Sequence, residues 1–265
     1  MSRRGNEREG VDVSGPKDGE PVLFVHGTVF NRTMWEPQRE ALSREYRVIA
    51  PDLPGHGTQA DEPFEMETAV RTLDRAVESL PNERVHVVGL SLGGYVATAF
   101  ARRQPHKVDG LVLSGSSANP VRLLGLASKL VGKATILASK SGLVERVTNW
   151  LTGKYVRSRD IGPEAKAEIV DAGFDLRPFG EAGVEIAGRD FRGALETFPK
   201  PTLVLNGKWD LLMRLGARDH AEAAHDGYRS VIDGAGHVCN LDEPETYTAA
   251  VNQFADATVE VPPTD

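Results

Sequence analysis

The stretch Val85-His-Val-Val-Gly-Leu-Ser91-Leu-Gly-Gly94 decides the fold, because it joins an apolar, β-branched run to a helical pattern through a serine flanked by glycines. Residues 85–88 predict a buried strand, and residues 94–103 predict a helix that Pro105 ends. A G-x-S-x-G pattern alone is weak evidence. Between a strand and a helix, however, it predicts a nucleophile elbow, with the Ser91 hydroxyl exposed on a strained turn.

Similar apolar runs alternate with helical patterns along the rest of the chain. These further predicted strands lie at residues 21–26, 46–50, 108–113, 202–205 and 228–232. The predicted helices between and after them lie at residues 35–45, 66–80 and 244–255. Such near-continuous hydrophobic strands suit a sheet that is covered on both faces. We therefore predict an α/β fold with a mostly parallel, doubly wound sheet.

Residues 116–198 break this rhythm, because they contain helical pieces but no strand-like run. The pieces lie at residues 121–131, 143–151 and 163–172. An excursion of this length between two strands predicts an inserted all-helical cap. The predicted organisation is an N-terminal tail with a candidate edge strand at residues 10–14, a core in two parts, the cap, and a C-terminal tail. The N-terminal tail covers residues 1–19, and the two parts of the core cover residues 20–115 and 199–257. The cap covers residues 116–198, and the C-terminal tail covers residues 258–265.

Composition limits the classes of function. The 265 residues are 40% hydrophobic with a net charge of −7, which argues against nucleic-acid binding. Cys239 is the only cysteine, so neither an internal disulfide nor a cysteine-based metal site can form. No signal peptide and no 18-residue apolar segment are visible. We expect a cytoplasmic protein with no membrane partner, no metal and no cofactor.

Four further motifs, together with the elbow, resemble the α/β-hydrolase family over residues 20–255. His26-Gly-Thr28-Val29 resembles the family's oxyanion loop, and Pro51-Asp-Leu-Pro-Gly-His-Gly57 resembles its D-x-x-G-x-G segment. Gly234-Ala-Gly-His237, after the last strand, resembles its histidine loop. The G-x-x-D that ends at Asp210 follows the strand from which the family presents its catalytic acid. The order of serine, acid and histidine is also that of this fold.

The resemblance implies two-step acyl transfer. Ser91 would be the nucleophile, His237 the general base and Asp210 the acid that orients the histidine. The backbone N–H groups of Thr28 and Leu92 would form the oxyanion hole.

Three other residues compete for these roles. His26 and His56 stand in motifs whose histidines usually support loops in this family. Asp52 stands where the family keeps a loop-shaping residue. We therefore expect none of the three to be catalytic.

A serine at position 91 argues against dehalogenase or epoxide hydrolase activity, because those relatives carry aspartate there. We expect hydrolysis of a carboxylic ester or lactone of a small, hydrophobic substrate, by a monomer or homodimer. The cap residues Leu123, Leu126 and Leu130 are candidates for the substrate pocket, although packing onto the core is the commoner role of such a stripe.

Three alternatives remain open at this point. A carbon–carbon bond hydrolase would use the same triad and add an arginine or other polar cap group for a substrate carboxylate, for which Arg122 and Arg192 are candidates. A haloperoxidase-like perhydrolase would also share the triad. A small-molecule receptor would keep the triad but turn its ligand over slowly.

Overall fold

A seven-stranded sheet runs through the part of the chain that the structure, a computed structural model, describes, which is residues 10–259. The strands are β1 (Val11–Ser14), β2 (Pro21–Val25), β3 (Arg47–Pro51), β4 (Val85–Leu90), β5 (Val108–Ser114), β6 (Pro201–Gly207) and β7 (Asp226–Ile232). Their order in the sheet is β1-β3-β2-β4-β5-β6-β7. All neighbours pair in parallel except β1, which is antiparallel to β3. The predicted fold class is confirmed.

Helices cover both faces of the sheet. In the described residues they are α1 (Glu36–Leu42), α2 (Met66–Glu78), α3 (Leu92–Arg103), α4 (Arg122–Ala138), α5 (Gly142–Arg157), α6 (Pro163–Asp171), α7 (Arg177–Glu185), α8 (Phe191–Leu195), α9 (Leu211–Ala223), α10 (Cys239–Asp242) and α11 (Pro244–Val259). Alternate side chains of a strand point to opposite faces, so β2 contributes to two cores. Leu23 joins Phe100 of α3 in one core. Phe24 packs against Trp35, beside Tyr247 of α11, in the other.

The two ends of the described chain differ from the expectations in length. The candidate edge strand is present as β1, whose four residues pair with β3. Residues 1–9 of the predicted N-terminal tail lie outside the described residues. The last helix reaches Val259 rather than about Ala255, and Thr258 near its end lies 2.5 Å from the His86 side chain of β4. Residues 260–265 of the predicted C-terminal tail are also outside the description.

Five helices, α4 to α8, lie between β5 and β6, where the sequence predicts a helical insertion. Helix α4 packs closely against α7 through glycine. A Cβ atom on Gly132 would lie 2.5 Å from the carbonyl oxygen of Gly180, closer than any side chain allows. The side of α4 that carries Gly125 and Gly132 is therefore its buried side.

Across residues 10–259, every helix is too short or too polar to cross a lipid bilayer.

Candidate active site

Ser91 sits in the sharp turn between β4 and α3. Its backbone has φ 54° and ψ −116°, a left-handed conformation that is rare for any residue with a side chain. Such strain costs of order 1–3 kcal/mol and persists only where the surroundings impose it. Here the Ser91 amide donates to the Ser114 carbonyl at 2.7 Å, which ties the turn to β5. The hydroxyl is thereby held at the carboxyl end of the central strands.

The neighbouring glycines are required by close backbone packing. A Cβ atom on Gly93 would lie 2.0 Å from the Val25 carbonyl oxygen, and one on Gly89 would lie 2.3 Å from the carbonyl oxygen of Gly93. A Cβ atom on Gly94 would meet the Ser116 hydroxyl at 2.0 Å. These contacts let the start of α3 rest directly on β2 and β5. Glycine at these positions is therefore part of what shapes the turn.

The structure brings Ser91, His237 and Asp210 together, although they are far apart in the chain. His237 Nε2 lies 3.0 Å from Ser91 Oγ, and His237 Nδ1 lies 2.7 Å from Asp210 Oδ2. Asp210 is buried, whereas the histidine side chain is 41% exposed and can meet a substrate. A carboxylate, an imidazole and a hydroxyl in this sequence form a relay through which the hydroxyl proton can move to the ring.

Backbone hydrogen bonds hold the two loops that carry the acid and the histidine. Lys208 donates from its amide to the Ile232 carbonyl, and Trp209 donates to the Ala235 carbonyl, each at 2.9 Å. Asp210 is the residue directly before α9, and its side chain makes no capping hydrogen bond to that helix. The loop after β6 is thus bonded to the loop after β7, which sets the position of Asp210 relative to His237.

The two predicted oxyanion donors flank Ser91. Leu92 is the first residue of α3, and Thr28 lies in the loop after β2, where it lines the same cavity as Ser91. Gly27 brings this loop close, because a Cβ atom there would lie 3.3 Å from Ser91 Cβ. Neither the Thr28 amide nor the Leu92 amide donates to another described residue. Both N–H groups are therefore free to bind an anionic oxygen.

His26 and His56 are buried in loop contacts. The Leu53 amide donates to His26 Nε2 at 3.0 Å, while His26 Nδ1 donates to the Gly27 carbonyl at 2.9 Å. His56 packs edge-on against His26, with ring centroids 4.7 Å apart. Burial lowers the pKa of both imidazoles below the usual histidine value, so both are neutral near pH 7. His26 thus joins the loops after β2 and β3.

Asp52 is also used in loop contacts. Its carboxylate accepts from the Arg32 guanidinium at 2.5 Å and from the Thr58 amide at 2.9 Å. The side chain is fully buried, and its hydrogen bonds lead away from His237. Asp52 therefore shapes the loop after β3, as the sequence predicts.

A cavity of about 410 Å³ opens beside Ser91. It is lined by Gly27, Thr28, Val29, Phe30, Leu90, Ser91, Leu151, Thr152, Tyr155, Phe179, His237 and Val238. A second cavity of about 250 Å³ shares Val29 and Phe30 with it. The lining combines the loops around Ser91, Thr28 and His237 with α5 and α7, and within residues 10–259 it contains no Lys, Arg, Asp or Glu side chain.

The three cap leucines predicted as pocket residues do not line this cavity. Leu123, Leu126 and Leu130 are 79%, 55% and 60% exposed on the outer side of α4. The side of α4 that carries glycine packs against α7. The leucines lie on another side of the helix and therefore face solvent. The cap instead contributes Leu151, Tyr155 and Phe179, which sequence periodicity did not single out.

Asp242 is a supporting residue that the sequence did not reveal. One carboxylate oxygen accepts from the Gly236 amide at 2.7 Å, directly before the histidine. The other accepts from Tyr155 Oη and from Arg159, both at 2.7 Å. Asp242 therefore joins the histidine loop to α5. The contacts with α5 cannot be predicted from a local pattern, because Tyr155 and Arg159 lie more than 80 residues before Asp242.

The remaining polar candidates lie away from the cavity lining. Arg122 is exposed on α4, and Arg192 pairs with Asp219 at 2.9 Å. Among the described residues one acidic group has metal-like spacing, with ligand atoms of Asp12, Glu36 and Glu168 within 4.8 Å of one another.

Arginines already neutralise that acidic group. Arg32 pairs with Asp12, and Arg39 pairs with Glu36. Burial raises the pKa of Glu36 to about 7, which further lowers its negative charge. The group is therefore accounted for as an ion-pair network that joins β1, α1 and α6.

Comparison with known proteins decides the family. The sequence profile of the Alpha/beta hydrolase family matches residues 22–251. This chain belongs to the α/β-hydrolase family. The family resemblance in the elbow and loop motifs is confirmed.

Individual α/β-hydrolases similar to this chain include enzymes named for ester and lactone substrates. The chain is 31% identical to a pimeloyl-acyl-carrier protein methyl ester esterase of Aromatoleum aromaticum, over 84% of this chain and 93% of that protein. It is 22% identical to 3-oxoadipate enol-lactonase 1 of Acinetobacter baylyi, over 96% and 95%. A solved structure of a thermophilic esterase from Thermogutta terrifontis aligns with a TM-score of 0.73 and 29% identity, over 94% and 93%.

Proposed function

We propose that this α/β-hydrolase is a serine hydrolase that cleaves a carboxylic ester or lactone of a small, hydrophobic substrate through an acyl-enzyme on Ser91. The observation that carries the proposal is the pair of hydrogen-bond distances, 3.0 Å and 2.7 Å, that link Ser91, His237 and Asp210. The relatives named for ester and lactone hydrolysis support the same reaction class.

In the first step Ser91 Oγ attacks the substrate carbonyl while His237 Nε2 takes the hydroxyl proton. Asp210 keeps the ring in the tautomer that leaves Nε2 free to accept, and it stabilises the imidazolium that forms. The Thr28 and Leu92 amides hold the negative oxygen of the tetrahedral intermediate. The bond between carbonyl carbon and alcohol oxygen then breaks, and the alcohol leaves with the proton from His237.

In the second step a water molecule repeats the sequence on the acyl-enzyme. His237 removes one proton from the water as its oxygen attacks the acyl carbon. The Ser91–acyl bond breaks, and Ser91 regains its proton from the imidazolium. The products are a carboxylic acid and an alcohol, which in a lactone are one molecule. No step draws on a metal or a cofactor.

The cavity favours an uncharged acyl group. Its lining includes aromatic and aliphatic side chains such as Phe30, Phe179 and Leu151, and no cationic group. A substrate carboxylate would be desolvated there without a partner. The same observation disfavours the carbon–carbon bond hydrolase alternative, because Arg122 and Arg192 lie outside the lining.

We expect turnover to rise with acyl length and to fall with acyl charge. For p-nitrophenyl esters with one leaving group, kcat/KM should rise about 15-fold from acetate to butyrate, since each of the two added methylenes contributes about 0.8 kcal/mol when buried. The negatively charged hemisuccinate should react at least about tenfold more slowly than butyrate. Initial rates of p-nitrophenol release measure both. A preference for hemisuccinate, or equal rates across the series, would contradict the proposed substrate class.

A further inference from the structure

Helix α4 presents an apolar face to solvent. Leu123, Leu130 and Leu137 recur every seven residues and are 79%, 60% and 71% exposed. Leu126 and Val131 widen the same exposed face. Most surface helices bury their apolar stripe. In α4 the buried side carries glycine, so the leucine side is left without a partner among the described residues.

Helix α5, the next helix in the chain, also exposes aliphatic and aromatic side chains. Leu143 is 63% exposed and Trp150 is 61% exposed. Lys154 lies 5.5 Å from the centroid of the Trp150 ring, so a cation and an exposed indole stand side by side. Tryptophan and lysine are the residues that anchor proteins at the boundary between lipid and water, because each has an apolar body and a polar end.

The segment that carries this surface is basic, although the protein is acidic. Residues 121–160 contain eight Lys and Arg but only two Asp and Glu, in a chain with a net charge of −7. On the α4 wheel, Arg122, Lys129 and Lys133 lie along one edge of the leucine face. An apolar face bordered by cations complements a surface that is both apolar and anionic.

Exposed apolar residues of α5 and α7 also reach the cavity beside Ser91. Leu151 of α5 and Phe179 of α7 line that cavity and are also 53% and 42% exposed. Apolar side chains that face solvent therefore also form part of the wall of the cavity.

We propose that the exposed apolar residues of α4 and α5, with the basic residues beside them, dock on an anionic lipid surface. Amphipathic esters would pass from that surface into the cavity. A second copy of this chain is the less favourable occupant, because residues 121–160 carry a net charge of +6, from eight basic and two acidic residues, and two copies of this segment would repel one another. Anionic lipid supplies both the apolar layer and the opposite charge. The sequence predicts no membrane partner because it contains no apolar segment long enough to span a membrane. A contact at the membrane surface differs from that prediction.

Docking itself does not depend on catalysis, whereas delivery of an ester to Ser91 rests on the proposed function. The experiment therefore measures docking with the Ser91→Ala protein. The Ser91→Ala protein is sedimented with vesicles of one of two compositions. The first is phosphatidylcholine alone, and the second is three parts phosphatidylcholine to one part phosphatidylglycerol. We expect binding to the anionic vesicles and weak binding to the neutral ones.

Two variants separate charge from apolar contact. Lys129→Gln with Lys133→Gln should weaken partitioning onto the anionic vesicles about 25-fold, because each basic side chain near the surface contributes about fivefold. Leu123→Ser with Leu130→Ser should abolish detectable partitioning. The matched control is Lys17→Gln with Arg75→Gln, which makes the same change in net charge at exposed positions outside α4 and α5 and should bind as the parent does.

Three results would overturn the proposal. They are equal binding to both vesicle types, equal weakening by the control pair, and a dimer in sedimentation velocity that Leu123→Ser with Leu130→Ser dissociates. Loss of ester hydrolysis in solution, with vesicle binding retained, would instead contradict the proposed function and leave docking standing.

Discussion

Ser91→Ala should fold normally and lose about 10⁶-fold in kcat on p-nitrophenyl butyrate, as loss of the nucleophile does in related chemistry. The Ser91 hydroxyl is the group that lies 3.0 Å from His237 Nε2 and faces the cavity. Alanine meets the same backbone constraint at φ 54°, so the turn should keep its shape. Single-turnover rates and the midpoint of thermal unfolding measure the two parts of this expectation.

The matched control is Ser128→Ala. Its hydroxyl on α4 donates to the Gly183 carbonyl at 2.8 Å and does not line the cavity. The control should retain kcat within about twofold, because it removes one hydrogen bond between α4 and α7 and no group that lines the cavity. Equal rates in wild type and Ser91→Ala would remove Ser91 from the mechanism.

The second large effect is expected from Asp210→Asn, which should lower kcat about 10⁴-fold with little change in KM. Asp210 accepts from His237 Nδ1 at 2.7 Å, and this bond keeps Nε2 free to take a proton. An amide can donate to Nδ1 instead, which favours the tautomer that is protonated at Nε2. Steady-state kinetics on the same aryl ester would measure the loss.

Asp219→Asn makes the same chemical change on α9, the helix that directly follows Asp210. Asp219 pairs with Arg192 at the surface of α9, so the variant should keep nearly full activity. If Asp210→Asn retained more than a tenth of wild-type kcat, or if Asp219→Asn lost as much, Asp210 would not be the orienting acid.

Local sequence predicted the sheet and the motifs well, because each of these features depends on neighbouring residues. The buried strand at residues 85–88 and the glycines around Ser91 are visible together in ten residues. The position of Asp210 follows from its place at the end of a strand, since carboxyl ends of parallel strands share one edge of the sheet.

The substrate cavity was less accessible to sequence reasoning. An apolar stripe repeats every three to four residues whether it faces the core or solvent, so Leu123, Leu126 and Leu130 were ambiguous. Gly125 and Gly132 indicate which side of α4 is buried, because two glycines seven residues apart lie on one side of a helix and allow close packing there. The contact of Asp242 with Tyr155 depends on tertiary packing alone.

The most direct test of the mechanism is peptide mapping by mass spectrometry after treatment with a fluorophosphonate. This reagent phosphonylates a hydroxyl that a neighbouring base activates, with loss of fluoride. The account predicts one adduct, on the peptide that contains Ser91, and no adduct in Ser91→Ala. An unmodified Ser91 in active protein, or a stoichiometric adduct on another residue, would contradict it.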